Sequence, residues 1–124
     1  MAFYFPDTPD LPMPAGHRFP STKYRMLRER CVQEDLFART GLIASPAICL
    51  DDLLRAHDEG YVRNIMTGTI GADEMRRIGI PWSEVLVARS LATVGGSLAA
   101  ARDALNFGIA GQLAGGTHHA HRNF

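Results

Sequence analysis

Two adjacent histidines near the end of the 124-residue chain are the side chains best suited to chemistry. His118 and His119 follow Gly115-Gly116 and a short apolar run. An imidazole titrates near pH 6.5, and repulsion between two neighbouring rings keeps at least one of them neutral. Such a pair suits a site where water is deprotonated and a leaving amine is protonated. A histidine cluster near a terminus, here extended by His121, is also typical of a solvated tail, so the pair alone leaves both interpretations open.

The elements before these histidines predict a parallel α/β arrangement. The apolar run over residues 109–114 follows a long helix, as a buried strand of a parallel sheet does. In such sheets ligands bind beyond the carboxyl ends of the strands, where residues 117–124 would leave this strand. The helix is capped by Ser83 and ended by Gly108, and Gly95-Gly96 inside it suggests a close backbone approach. We expect its buried face to be the stripe of Val87, Leu91, Val94, Leu98, Ala101 and Leu105.

The rest of the chain predicts one short strand and several further helices. An aromatic run over 2–5 suits a strand, and the dense prolines that follow prevent regular structure. Helices are expected over 22–37, from Asp51 onward, over Glu59–Thr67 and over 73–77, with a loop or short strand over 42–50. We therefore predict one incomplete α/β domain of several helices around a small, incomplete parallel sheet. Its parts are a strand and proline-rich loop (1–20), a mainly helical part (21–108), and a strand with the paired-histidine loop (109–124).

The composition is that of an ordinary globular protein. It is 46% hydrophobic and 21% charged, and 13 basic residues balance 13 acidic ones, so no net field favours nucleic acid or an anionic membrane. Cys31 and Cys49 are too few for a disulfide framework. We see neither a leader-like N-terminus nor a run of about 18 apolar residues. The expectation is a reduced, cytoplasmic protein with no nucleic-acid or membrane partner.

Four segments together resemble the histone deacetylase family, which includes bacterial acetoin-utilisation and acetylpolyamine relatives. Gly115-Gly116-Thr117-His118-His119-Ala120 is similar to the family's Gly-Gly-x-His-His-Ala motif. His17-Arg18 before a helix resembles its N-terminal His-Arg segment, and His57 followed by Tyr61-Val62 resembles its paired helices. Pro81-Trp82-Ser83 resembles the Gly-Phe-Pro-Trp-Ser segment of the bacterial subgroup. The order and spacing agree across nearly the whole chain, which is thereby identified as the N-terminal part of a family member.

The resemblance implies an arginase-like α/β fold and hydrolysis of acetyl-lysine or another acetylated amine by a metal-bound water. By position, His118 and His119 would orient and deprotonate that water and protonate the leaving amine. Arg18 would match the arginine that lines the internal channel for acetate; the alternative is a buried structural arginine that holds the proline-rich loop. We interpret His57 as structural, bonding a carbonyl or the negative end of a helix. His17 and His121 receive no role.

The zinc that the family resemblance implies has no expected ligands in this chain. Family members hold the metal with an Asp-x-His pair and a further aspartate, all beyond the paired histidines. No aspartate here has a histidine two residues on, and metal catalysis needs about three protein ligands. We therefore predict that the chain by itself has no metal site and is inactive.

Two alternatives belong to other functional classes. The strand over 109–114 would be an open sheet edge, and open edges pair with other chains. The chain would then be a non-catalytic binding or assembly module, a homo-oligomer that exchanges its C-terminal segment. In the other alternative, His118, His119 and His121 hold a transition metal between chains.

Overall fold

The computed structural model describes residues 2–115 and 120–123 of the chain. Three short strands and five helices lie within these residues. In chain order they are β1 (Phe3–Phe5), α1 (Lys23–Gln33), β2 (Leu42–Ala44), α2 (Leu50–Leu54), α3 (Glu59–Thr67), α4 (Ala72–Ile78), α5 (Glu84–Phe107) and β3 (Gly111–Gln112).

The three strands form one parallel sheet with β1 in the centre, in the order β2-β1-β3. Phe3 is in register with Leu42 on one side and with Gly111 on the other. The predicted fold class, an α/β fold with helices around a small parallel sheet, is confirmed. β3 is shorter than the strand predicted over 109–114, since β1 offers only three residues before Pro6 ends it.

Helix boundaries follow the local chemistry of their ends. α3 has the predicted bounds, because the Asp58 carboxylate accepts hydrogen bonds from the first-turn amides and Gly68 ends the helix with a positive φ of 73°. α1 ends four residues earlier than predicted. The residues after it form turns, and Asp35 takes a φ of 54°, a left-handed conformation that does not continue a helix.

The buried face of α5 is not the aliphatic stripe that the periodicity predicts. Leu105 is 88% exposed and Val94 42% exposed. The residues buried on this helix are instead mostly small: Leu86, Arg89, Ala92, Thr93, Gly95, Gly96 and Ala100. The prediction was wrong because α5 packs on β1 and β3 at close range, which favours small side chains over long aliphatic ones.

Gly95 and Gly96 make this close range possible, as the sequence predicts. A Cβ on Gly95 would collide with the Pro46 carbonyl oxygen and lie 2.7 Å from the Ile48 nitrogen. One on Gly96 would lie 2.6 Å from Nε2 of Gln112 in β3 and collide with Ser45. The absence of both Cβ atoms lets the Ile48 amide donate a hydrogen bond to the Leu91 carbonyl at 3.0 Å. The two glycines thus seat the loop after β2 on the helix.

α5 also has the length and composition of a membrane-spanning helix. Its most apolar stretch of 18 residues has a mean hydropathy of 1.2, and 28% of that stretch is buried. A helix that packs on the sheet of a soluble protein can have the same length and hydropathy. The expectation of no membrane partner therefore stays a prediction.

Candidate active site

A cavity lies beyond the carboxyl ends of β1 and β3. β1 and β3 run parallel, so their carboxyl ends meet at one edge, and the Leu113 amide extends the pairing by donating to the Tyr4 carbonyl at 2.7 Å. The cavity measures about 120 Å³. It lies between this edge, the proline-rich loop, α1 and α5, and is lined by Phe5, Pro6, Thr8, Pro9, Asp10, Tyr24, Arg25, Arg28, Arg89 and Leu113. Its position is the one that a parallel sheet offers to ligands.

The paired histidines His118 and His119 lie outside the described residues, so their predicted catalytic role stays a prediction. The described chain before them reaches this edge of the sheet through β3. The described chain after them lies at the junction of α2 and α3, where His57 Nδ1 is 3.0 Å from the His121 carbonyl oxygen and the Asp58 amide donates to the Arg122 carbonyl at 2.8 Å.

The α2–α3 junction owes its shape to Asp58. The Asp58 side chain accepts hydrogen bonds from the amides of Gly60 and Tyr61, at 2.9 and 3.2 Å, and so starts α3. Its own backbone amide, which precedes the helix, is thereby free to bind the Arg122 carbonyl. The neighbouring His57 bonds a carbonyl, as its structural interpretation predicts, and its ring packs 5.8 Å from the Tyr61 ring.

Arg18 lies on the surface of the turn that precedes α1. The side chain is exposed and is not among the residues that line the cavity. Its alternative interpretation as a buried structural arginine is therefore wrong, and its match to the channel arginine stays a prediction. The neighbouring His17 joins the proline-rich loop to the end of α4 instead. Its Nδ1 accepts a hydrogen bond from the Phe19 amide at 3.1 Å, so its Nε2–H donates to the Gly79 carbonyl at 3.1 Å.

Arg89 is the functional candidate that the sequence reading missed. It lies on the buried face of α5 with 8% of its surface exposed. Its guanidinium stacks 4.1 Å from the centre of the Tyr24 ring, and its Nη2 atom is buried without a hydrogen-bond partner. The sequence contains a signal for this residue, because Arg89 interrupts the stripe of small residues that continues through Ala92 and Gly96. Charged side chains are rarely buried unless they have a partner.

The other two arginines of the cavity are neutralised locally. Arg25 donates to Asp10 at 3.0 Å and also pairs with Glu29, while Arg28 donates to Asp7 at 3.0 Å. The neighbouring Asp10 and Glu29 carboxylates raise the pKa of Arg25, with the hydrogen bond to Asp10 as the largest cause. These arginines therefore join α1 to the proline-rich loop and leave Arg89 as the cation without an anionic partner among the described side chains of the cavity.

A second, apolar groove of about 150 Å³ lies on the opposite side of α5. It is lined by Leu53, His57, Tyr61, Val62, Ile65, Met66, Ile78, Leu86, Val87, Ser90, Leu91 and Val94. Trp82 closes the α3 end of this region, since its Nε1 donates to the Ile65 carbonyl at 2.7 Å and its ring contacts Gly68. Trp82 thus packs the segment before α5 against the end of α3. Burial raises the pKa of Tyr61 in this groove, and the Glu74 charge adds to the effect.

The described residues contain no cluster of three or more His, Cys, Asp or Glu side chains that could hold a metal ion. The sequence also lacks the Asp-x-His pair. The residues that the structure places together therefore do not fit the zinc that the family resemblance implies.

Comparison with known proteins adds two findings. The model of the histone deacetylase domain matches residues 17–124. The chain is also similar to an uncharacterized protein of Picosynechococcus sp., with 37% identity over 109 residues, which cover 88% of this chain and 36% of that protein. The chain thus spans about a third of the length of this relative.

Proposed function

Because the chain belongs to the histone deacetylase family, we propose that it is the N-terminal segment of a zinc-dependent amidohydrolase and has no activity by itself. The substrate would be acetyl-lysine or another acetylated amine. The observation that carries the proposal is the family match over residues 17–124, which includes His118 and His119. The share of the relative that the chain covers, 36%, supports its reading as a segment.

His118 and His119 carry the proposed chemistry of this chain. One neutral imidazole would accept a proton from the attacking water, and the protonated partner would then donate to the departing amine. The zinc of a complete enzyme would polarise the amide and the water, but its ligands have no place in this chain. The supporting geometry is the crevice beyond the carboxyl ends of β1 and β3 together with the contacts of His57 and Asp58 to the segment after the histidines.

Complementation tests this proposal. The full chain would be assayed on an acetyl-lysine peptide with added zinc, alone and mixed with the remaining C-terminal part of the Picosynechococcus relative. We expect no turnover from either piece and turnover from the mixture. Replacing His118 or His119 by alanine would lower the restored rate by about a hundredfold or more. Robust turnover by the chain alone, or a restored rate insensitive to both replacements, would contradict the proposal.

A second candidate function is self-association of the chain as an assembly module. Its accessible surface of 8037 Å² exceeds by about a fifth the roughly 6,600 Å² expected for a folded monomer of this mass. β2 and β3 are both edge strands, and β3 follows a segment in which Leu105, Phe107 and Ile109 are 88%, 65% and 58% exposed. Such a surface next to an open edge favours pairing with a second copy.

Light scattering across a concentration series tests the assembly. We expect a homodimer that Leu105→Lys with Phe107→Lys converts to monomer. The matched control is Val32→Lys with Leu36→Lys, because both residues are 63% exposed but lie at the end of α1 and in the turns after it, not in the segment that leads into β3. A wild-type chain that stays monomeric at high concentration would exclude this candidate.

We also propose a cytoplasmic location and the absence of a nucleic-acid or membrane partner. A further hypothesis is a metal ion held between chains by His118, His119 and His121. Calorimetric titration with zinc and nickel tests the last of these, and no measurable affinity would dismiss it.

A further inference from the structure

We propose that Gln112 is a positioning residue for the paired histidines, because its side chain holds β3 on α5 and β3 leads along the chain to His118 and His119. The inference rests on the proposed function, since it assigns a role in the reaction of these histidines. Gln112 and its partners on α5 lie outside the four segments that resemble the deacetylase family. Gln112 acts through the strand that carries it and is therefore not a catalytic residue.

The first observation is that β3 is short and lies at the edge of the sheet. The strand has two residues, Gly111 and Gln112, and pairs with β1 on one side. The Gly111 amide donates to the Ala2 carbonyl at 3.2 Å, and the Leu113 amide donates to the Tyr4 carbonyl at 2.7 Å. Among the described residues no strand pairs with the other side of β3. Such a strand has few main-chain hydrogen bonds, so it opens readily by local unfolding.

The second observation is a pair of side-chain hydrogen bonds from Gln112 to α5. Its Nε2 donates to the Thr93 carbonyl at 3.0 Å, and its Oε1 accepts from the Ser97 hydroxyl at 2.6 Å. The Ser97 hydroxyl also lies 3.0 Å from the Thr93 carbonyl oxygen. Its one proton serves the 2.6 Å contact, because Oε1 has no proton to offer. The two bonds form a clamp between β3 and one turn of α5.

The close approach of β3 to α5 makes the clamp specific to this position. A Cβ on Gly96 would lie 2.6 Å from Gln112 Nε2, so a larger residue at this point of the helix would displace the amide. Thr93 is buried, with 7% of its surface exposed, and the bond to its carbonyl is thus shielded from water. A shielded hydrogen bond is stronger than one in solvent. The clamp therefore restrains β3 on the side that has no neighbouring strand.

The position of this strand matters for the proposed chemistry. His118 and His119 follow β3 in the sequence, after Gly115-Gly116. Proton transfer requires the imidazole to lie within hydrogen-bond reach of the water or the amine, and a displacement of about 1 Å can cost about a hundredfold in rate. A loosened strand should therefore lower kcat, which reports the chemical step, more than it raises KM.

Hydrogen exchange on the full chain tests the clamp. Gln112→Met keeps the length of the side chain and removes both hydrogen bonds. We expect the Leu113 amide to exchange about tenfold faster or more, because an edge strand opens locally. The matched control is Tyr4→Phe, which removes a side-chain bond between α5 and the central strand, from Tyr4 to Asp103. It should leave the local opening at Leu113 unchanged. An unchanged exchange rate at Leu113 in Gln112→Met would overturn the clamp.

Complementation with the C-terminal part of the Picosynechococcus relative tests the role in the reaction. We expect Gln112→Met to lower the restored kcat by about tenfold while KM stays within about twofold, and Tyr4→Phe to leave both within about twofold. Equal losses of kcat in the two variants would mean that Gln112 only stabilises the fold, and a loss confined to KM would also overturn the inference. No turnover from the wild-type mixture would instead contradict the proposed function itself, and the positioning role would fall with it.

Discussion

The two faces of α5 differ in what they contact and in what buries them. The face toward the sheet consists of small residues such as Ala92, Gly95 and Gly96, with Arg89 at its cavity end. The opposite face carries longer aliphatic side chains, of which Leu91 and Val94 line the apolar groove and Leu105 is exposed. The more hydrophobic face is therefore the less buried one.

This difference shows that closeness of approach decides burial on α5 more than hydrophobicity does. The loop after β2 and Gln112 of β3 contact the helix almost at its backbone, and only small side chains fit there. The aliphatic face meets α3 across a groove that leaves it half-open. Close packing is stabilising through many short contacts, whereas an open groove forfeits them.

A side chain at the closest contact of α5, at Gly95, should reduce the stability of the fold more than any other change. Gly95→Val places a side chain against the Pro46 carbonyl and the Ile48 amide, which belong to backbone and cannot move aside. We expect a loss of at least about 3 kcal/mol of unfolding free energy, a large fraction of the stability of a small domain. Urea unfolding followed by Trp82 fluorescence measures it.

Ala101→Val is the control for that experiment. Ala101 is exposed on the same helix, so valine there should cost less than about 1 kcal/mol, mainly through helix propensity. Equal losses in the two variants would mean that helix propensity, and not the contact at Gly95, explains the effect.

Exchanging a small and a large residue at neighbouring positions tests the difference between the two faces of α5. Ala92 is 7% exposed against the sheet, whereas Leu91 faces the groove. We expect Ala92→Leu to destabilise by about 2 kcal/mol through overpacking and Leu91→Ala by about 1 kcal/mol through lost apolar contact. Alanine and leucine are both strong helix formers, so propensity barely contributes. If Leu91→Ala proved the more harmful variant in urea unfolding, the aliphatic stripe would be the true core face.

Much of the fold was accessible from local signals in the sequence. Asp58 and Gly68 mark the ends of α3, and Ser83 and Gly108 mark those of α5, because caps and left-handed glycines act within a few residues. The orientation of α5 was not accessible in this way. Periodicity identifies an apolar stripe but does not tell how near the neighbouring backbone comes, which only the sheet and the loop at Pro46 determine.

The residues of the candidate site also differ in whether the sequence alone can identify them. The paired histidines could be identified from a motif, which is local in sequence. Arg89 could not, since its importance rests on the contact with Tyr24 and on a cavity shared with the proline-rich loop and the end of β1, all distant along the chain. A charged residue within a small-residue stripe was the available hint, and its meaning depends on the tertiary contacts.

The smallest expected effect concerns the hydrogen bond that ties α5 to the central strand. The Tyr4 hydroxyl donates to Asp103 Oδ2 at 3.0 Å, and burial, this bond and the Asp103 charge together raise the pKa of Tyr4. A raised pKa in the folded state means stability that is complete below about pH 10, the value for unfolded tyrosine, and lost as the pH rises through the folded value. Tyr4→Phe should lower the unfolding free energy at pH 8 by about 1 kcal/mol.

The pH dependence separates this bond from simple packing. Wild-type stability should decline as the pH rises above about 10, and Tyr4→Phe should decline less over the same range. Asp103→Asn keeps an acceptor but removes the charge, so its decline should lie between the two. Tyr61 also has a raised pKa, on the groove side of α5, and contributes to the slope of all three proteins alike. An identical slope for wild type and Tyr4→Phe in urea unfolding would show that the small-residue face gains nothing from this bond, because packing alone would then hold α5 on β1.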